Sequence, residues 1–233
     1  MEAELTRGTR PKIALMALIG YFVLGIAEVF LETVGNTGAI YVIKPLLMPA
    51  LLAYYISSAR ERDFLVVAML AFAWIANIFF ISAEYSSILI GAMFFFVFRA
   101  LTIFLVFKYA GSPRLFPLLV SCIPFLFTYL YLAYHVHHRI GDGLSIFVGQ
   151  CVMITFLGGL SLGNYIMVSN RPNLLLLLST LLFAATQFIF AAKVFYTRDN
   201  YFHALAMALY VPAQYLFVKF LMTSENRSRK VLG

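Results

Sequence analysis

Apolar residues fill most of the chain in eight long runs, and short polar segments separate the runs. A run of about 20 apolar residues has the length of an α helix that crosses the hydrocarbon core of a bilayer. The runs cover residues 12–33, 38–57, 64–83, 85–107, 115–134, 144–168, 173–194 and 201–222. We therefore predict an all-α fold: one polytopic membrane bundle of eight transmembrane helices, forming a single domain over residues 1–233.

Lysine and arginine are unevenly distributed between the two sides of this bundle. Eleven of those counted at the helix ends lie on the side that holds both termini, and three (Arg139, Lys193 and Arg198) lie on the other. Basic loops remain predominantly on the cytoplasmic side of a membrane. Both termini are therefore predicted to be cytoplasmic.

Composition agrees with a membrane protein. The chain is 63% hydrophobic and 12% charged, whereas soluble domains are roughly 45–50% apolar and about 25% charged. The net charge of +7 suits an anionic cytoplasmic leaflet. No basic patch is interleaved with exposed aromatic residues, so we expect no nucleic acid partner. Because no long targeting region precedes the first helix, we expect a multi-pass protein of a bacterial inner membrane.

A lysine between apolar residues and prolines distinguishes the second helix. Lys44 precedes Pro45, and Pro49 follows one turn later. An unpaired ammonium group at membrane depth costs roughly 2.5–3.5 kcal/mol on insertion scales, and a proline inside a helix leaves a carbonyl group without its usual partner. We interpret this helix as the wall of an internal polar cavity. The polar residues expected to face it are Glu28, Asn77, Arg99, Gln187 and Gln214.

Two of these residues are charged and need partners. Lys44 is the natural counter-charge for Glu28, because the first two helices are antiparallel and both residues lie near their connection. Glu32 lies closer to the helix end, and we expect it at a hydrated rim. Arg99 is fully charged at ordinary pH; it either pairs with Glu28 or binds an anionic headgroup.

Two other helices carry polar residues on one face. In the last helix these are His203, Met207, Tyr210 and Gln214, at helical spacing. The sixth helix has a weaker stripe that includes Gln150. Three glycines beside it, Gly158, Gly159 and Gly163, are expected to permit close helix packing.

The motifs of soluble enzymes do not occur. We find no nucleophile elbow, no glycine-rich phosphate loop and no H-E-x-x-H sequence. The histidines at 135, 137 and 138 have no nearby set of carboxylates or cysteines, so we expect no metal and no cofactor.

The order of these features resembles the YhhN family of lysoplasmalogenases. Lys44-Pro45 matches the lysine-proline pair of that family's second helix, and Tyr210 and Gln214 fit its last helix. The segment 181–187 (LLFAATQ) resembles the seventh helix. The resemblance extends from Gly20 to about Lys219. It implies an eight-span bundle that hydrolyses the vinyl-ether bond of lysoplasmalogens or a related lipid, releasing a fatty aldehyde and a glycerophospho headgroup.

This chain departs from the family pattern at three positions. The family's Gly-Asp is Ala76-Asn77 here, its Ser-Asp is Thr186-Gln187, and its aromatic-flanked histidine corresponds to Arg99. Amide side chains orient water but donate no catalytic proton, so Glu28 is the carboxyl left to serve as an acid.

The resemblance assigns roles to seven residues. The expected catalytic residues are Glu28, Asn77 and Gln187. The expected substrate-binding residues are Lys44, Arg99, Tyr210 and Gln214. The expected partner is a membrane lipid or lysophospholipid, and no oligomeric partner is identified. Three alternatives follow: a lipid hydrolase, a homologue that binds or transports an anionic amphiphile through Lys44 and Arg99, and a structural protein whose buried charges pair with one another.

Overall fold

The protein is a bundle of α helices. The structure is a computed structural model; it describes residues 2–82, 84–196 and 199–232, with side chains described between 11 and 225 in these ranges. No β strand occurs in the described residues. The helices are α1 (Glu2–Val34), α2 (Thr37–Ser58), α3 (Phe64–Phe79), α4 (Tyr85–Ala110), α5 (Leu115–Ile140), α6 (Leu144–Met167), α7 (Arg171–Phe195) and α8 (Asn200–Leu232).

The helices have the length and apolar character of membrane spans. Six stretches of the described chain are long and apolar enough to cross a membrane, and one of them, Leu115–Met167, contains both α5 and α6. Helix α3 is a shorter apolar helix. The chain is thus a multi-pass membrane protein. The count of eight spans and the cytoplasmic location of both termini stay predictions.

Helix α5 extends further than the sequence predicted. It continues past residue 134 to Ile140. Two of the histidine rings in this extension bond to the helix itself, with Nδ1 of His135 2.9 Å from the carbonyl oxygen of Tyr131 and Nδ1 of His137 2.6 Å from that of Tyr134. Helix α5 ends where Gly141 adopts a φ of 58°, a left-handed conformation that glycine adopts without a steric penalty.

A hydrogen bond from α3 completes the backbone of α2. Pro49 has no N–H group, so the carbonyl group of Pro45, four residues earlier, lacks its helical donor. The indole Nε1 of Trp74 donates to this oxygen at 2.7 Å. The prolines of α2 therefore provide a specific docking point for α3.

Seven helices form a closed ring in the order α1, α2, α3, α4, α6, α7 and α8, with α8 returning to α1. Helix α5 packs outside the ring against α6 and α7. At the contact of α5 with α6, a Cβ atom on Gly158 would overlap the ring of Phe125. The packing role predicted for this glycine is confirmed.

Candidate functional site

The helices line a partly open cavity of about 150 Å³. Its walls come from α2, α3, α4, α6, α7 and α8, with Ile140 at the end of α5, and most of the lining side chains are aromatic or aliphatic. Five of the seven residues predicted to form a site line this cavity: Lys44, Asn77, Arg99, Gln187 and Tyr210. The other two lie behind the wall, where Glu28 contacts Lys44 and Gln214 contacts Tyr210.

The cavity occupies one half of the bundle. Its lining includes the first turns of α4 and α8 and the last turn of α7. These turns lie beside the connections from α3 to α4 and from α7 to α8. With the predicted orientation, this half is the one farther from the cytoplasm.

Arg99 lies in the cavity wall as a fully buried cation. Its side chain is 0% exposed, and its guanidinium carbon lies 5.2 Å from the ring centre of Phe95 and 5.4 Å from that of Phe183. Nη2 donates to Oε1 of Gln187 at 3.2 Å. Nε and Nη1 have no hydrogen-bond partner within the described parts of the chain. Arg99 is therefore held by aromatic faces and one neutral amide, and the donors on its Nε and Nη1 are left for a ligand.

Glu28 does not neutralise Arg99. Nζ of Lys44 lies 3.2 Å from Oε1 of Glu28, and both side chains are buried. The predicted pairing of Glu28 with Lys44 is confirmed. The alternative that Arg99 pairs with Glu28 is wrong, and none of the ion pairs among the described residues includes Arg99.

Lys44 belongs to a larger cluster of ionisable groups beside the cavity. Its Nζ is 3.1 Å from Oε1 of Glu32 and 3.3 Å from Nε2 of His203. Nδ1 of His203 is 3.4 Å from Oε2 of Glu32 and 3.2 Å from Nζ of Lys193. When Nε2 accepts a hydrogen bond from Nζ of Lys44, Nδ1 carries the ring hydrogen and faces Glu32. We name these residues the ionic cluster: Glu28, Glu32, Lys44, Lys193 and His203.

The structure corrects the expectation for Glu32. Its position near the end of α1 indicated a hydrated rim, but it is only 7% exposed and contacts Lys44 and His203. Lys193 was not expected at the site, because it lies near the end of α7 and was counted with the loop cations. The signal that could have revealed it is its proximity, across a short connection, to His203 on the polar face of α8.

Tyr210 is fixed by two amide groups. Its phenol oxygen accepts hydrogen bonds from Nδ2 of Asn77 at 2.9 Å and from Nε2 of Gln214 at 2.8 Å. All three side chains are buried. Asn77 and Gln214 thus hold the Tyr210 ring in the cavity wall, and the hydrogen bond from Asn77 connects α3 with α8.

The polar stripe of α6 contributes one residue. Gln150 lines the cavity, and its Nε2 donates to the carbonyl oxygen of Ala92 at 3.0 Å. Its Oε1 has no partner among the groups that the structure describes. Ser161 and Asn164, farther along the stripe, bond to the α6 backbone instead.

The arrangement favours binding of an anion. In the ionic cluster two lysines balance two glutamates, and the charge of Arg99 is left without a counter-charge. No carboxyl group lines the cavity in the described part of the chain. The same residues contain no group of three metal-ligating side chains. The cavity therefore presents hydrogen-bond donors and one positive charge.

Comparison with known proteins identifies one family. The sequence model described as the YhhN family matches residues 39–221, from the beginning of α2 into α8. No curated protein and no solved structure matches the chain.

Proposed function

The chain belongs to the YhhN family and is a membrane protein of the lysoplasmalogenase family; we propose that its cavity binds a single-chain anionic lipid and holds the lipid's anion at Arg99. The observation that carries this proposal is the guanidinium group of Arg99, which is buried in the cavity wall with two unpartnered nitrogen atoms. Gln187 adds a third unpartnered donor, its Nε2. Three free donors beside one uncompensated charge are complementary to a carboxylate or a phosphate.

Energetics support a bound anion. A buried charge without a partner costs several kcal/mol, and the amide of Gln187 compensates only part of that cost. An anion at Nε and Nη1 of Arg99 would satisfy these donors and cancel the charge. Binding of an anion therefore removes the free-energy cost of the uncompensated charge, which the protein without ligand retains.

The remainder of the lining fits one hydrocarbon chain. Phe95, Phe147 and Phe190 provide apolar surface inside the ring of helices, and the cavity has a volume of only about 150 Å³. This small, apolar space suits part of one hydrocarbon chain next to the anion and is too small to hold both chains of a phospholipid. A lysophospholipid or another single-chain amphiphile meets both requirements.

Vinyl-ether hydrolysis is the second candidate function, and the ionic cluster favours it. The reaction needs a proton on the alkenyl carbon and a water molecule at the adjacent carbon, after which the hemiacetal separates into aldehyde and lipid alcohol. Lys44 and His203 line the cavity, and the carboxyl groups of Glu28 and Glu32 contact them from behind. In this candidate Glu28 is protonated: Lys44 donates a proton from its ammonium group to the alkenyl carbon and regains one from the carboxyl group of Glu28, and Asn77 and Gln187 position the water.

One experiment separates the two candidates. The purified protein, reconstituted in lipid, is incubated with alkenyl-, alkyl- and acyl-lysophospholipids of one anionic headgroup, and bound lipid and products are followed by mass spectrometry. The binding proposal predicts that all three are retained intact and that Arg99→Gln loses them. Arg114→Gln is the control, because Arg114 is exposed. Release of aldehyde from the alkenyl lipid alone, abolished in Glu28→Gln, would establish hydrolysis.

A further inference from the structure

The charges that face the cavity bear on the kind of headgroup it accepts. Lys44 faces the cavity, but its charge is matched by Glu28 and Glu32, which lie 3.2 Å and 3.1 Å from its Nζ. Arg99 has no such partner among the described side chains. The wall therefore carries one positive charge in excess, which one negative charge on a ligand cancels.

A cationic group on the ligand would find no partner in the same cavity. The carboxyl groups of Glu28 and Glu32 are absent from the lining, and Lys44 and His203 occupy the wall in front of them. Among the buried side-chain acceptors of the lining that have no partner in the described residues is the neutral Oε1 of Gln150. An ammonium group inside the cavity would thus lose its water and face the uncompensated charge of Arg99 without a carboxylate to pair with.

Aromatic rings do not compensate for this lack. Phe95 and Phe183 already stack on the guanidinium group of Arg99. Other rings of the lining, such as Phe147 and Phe190, offer cation–π contacts worth about 0.5–2 kcal/mol in general. Such contacts are weaker than a lost hydration shell combined with repulsion from Arg99.

We infer that the cavity selects single-chain lipids whose headgroup is a simple monoanion, such as a fatty-acid carboxylate or a phosphodiester of an uncharged alcohol, and discriminates against zwitterionic choline and ethanolamine headgroups. This inference rests on the proposed function, since it names the headgroup that the Arg99 site accepts. The discrimination comes from the missing acceptor for a cation, and the affinity comes from Arg99.

Gln187 is the residue that keeps Arg99 available to a ligand. Its neutral Oε1 accepts a hydrogen bond from Nη2 of Arg99 at 3.2 Å. A glutamate at this position would place a negative charge beside the guanidinium group with nearly the same shape. The wall would then carry no excess charge, and the preference for an anion would disappear.

A headgroup series tests the inference. Lipid-stripped protein in discs of uncharged lipid binds labelled palmitate, and unlabelled palmitate, palmitoyl-lysophosphatidylglycerol, palmitoyl-lysophosphatidylcholine and palmitoyl-lysophosphatidylethanolamine compete for the site. The two monoanions are expected to bind at least about tenfold more tightly than the two zwitterions. Zwitterions that compete as well as the monoanions would overturn the inference while leaving lipid binding intact. Failure of palmitate to bind at all would overturn the proposed function together with the inference.

A pair of variants at one position provides the second test. Gln187→Glu should lower the affinity for palmitate by at least about tenfold and leave that for the zwitterions unchanged. Gln187→Met is the matched control: it removes the amide but leaves the charge of Arg99 uncompensated, so the preference for monoanions should persist. Gln187→Glu is expected to fold, because it pairs a buried cation, and size-exclusion chromatography verifies this. Undiminished selectivity in folded Gln187→Glu would contradict the inference.

Discussion

Lys44 contacts two buried carboxyl groups at once. Its Nζ lies 3.2 Å from Oε1 of Glu28 and 3.1 Å from Oε1 of Glu32, and these three side chains are at most 9% exposed. Removing Lys44 and removing one glutamate therefore have different consequences. Loss of Lys44 ends its contacts with both carboxyl groups, whereas loss of one glutamate leaves Lys44 in contact with the other.

Substitution of Lys44 should therefore destabilise the protein more than substitution of Glu28. Lys44→Met removes the lysine in direct contact with both buried carboxylates and leaves Glu28 without a counter-charge, and loss of one partner of a buried pair typically costs about 3–5 kcal/mol. Glu28→Gln leaves Lys44 paired with Glu32, so we expect a smaller loss. Thermal unfolding of both variants in the same micelles measures the difference. Equal losses would show that Lys44 does not bridge the two carboxylates.

The sequence predicted the pair of Lys44 and Glu28 in the ionic cluster but not the positions of Glu32 and Lys193. Lys44 and Glu28 were paired because a lysine at membrane depth needs an anion and because both residues lie near one connection. Glu32 and Lys193 lie within about one turn of a helix end, where side chains are usually hydrated. The packing of α1, α2, α7 and α8 around His203 buries Glu32 and partly buries Lys193, and no single helix pattern contains this packing.

At the scale of helices, the contact of α5 with α6 depends on residues without side chains. Gly158 faces Phe125 so closely that a Cβ atom would overlap its ring. Gly20 in α1 has no atom within 4 Å of the place where its Cβ atom would lie. These two glycines make a matched pair of positions, one packed and one open.

Gly158→Ala should destabilise the bundle, whereas Gly20→Ala should not. Overpacking of this kind typically costs about 1–3 kcal/mol, and alanine is preferred over glycine in an open helix position by about 1 kcal/mol. The measurement is the unfolding temperature of each variant in one detergent. Equal effects of the two substitutions would mean that α5 and α6 are not closely packed at Gly158.

Asp63 connects the beginning of α3 with the end of α4. Its Oδ1 caps α3 by accepting from the backbone N–H group of Leu65 at 3.0 Å, and its Oδ2 accepts from Lys108 at 2.8 Å and Tyr109 at 2.9 Å. Burial acts to raise the pKa of Asp63, but these hydrogen bonds outweigh it and hold the pKa below its ordinary value. A carboxyl group with a lowered pKa stabilises the fold above its unfolded pKa and loses this contribution as the pH falls.

Asp63→Asn should consequently be less stable than the wild type at pH 7, by at most about 1 kcal/mol because Lys108 is partly exposed. The asparagine retains the cap and removes the charge. The difference should shrink as the pH falls below about 4, near the ordinary pKa of an aspartate. Unfolding temperatures of both proteins between pH 7 and pH 3 test this, and a difference independent of pH would contradict it.

The sequence predicted where each helix lies along the chain more fully than it predicted which helices pack against one another. Runs of apolar residues located each helix, although α5 continues past its predicted end because the polar residues there remain helical until Gly141. Periodicity says which residues share a face but not which helices are neighbours. The position of α5 outside the ring, and hence the identity of the cavity walls, follows from packing between distant segments.

At the scale of the whole molecule, the ring places an uncompensated positive charge inside an apolar cavity. Arg99 from α4 and Gln187 from α7 meet across this space, and the ionic cluster closes one side of it. The charge is unfavourable for the empty protein and favourable for an anionic ligand. The burial of Arg99 is thus explained by the anionic ligand that the bundle binds.

The most direct measurement is the unfolding temperature of lipid-stripped protein as palmitate is added, for the wild type and Arg99→Gln. A ligand of the folded state raises stability by mass action, by about 2.7 kcal/mol at a hundred times its Kd. The account predicts that the wild type is progressively stabilised, whereas Arg99→Gln is more stable without ligand and does not respond to it. An equal response of the two proteins would contradict the claim that Arg99 holds the anion.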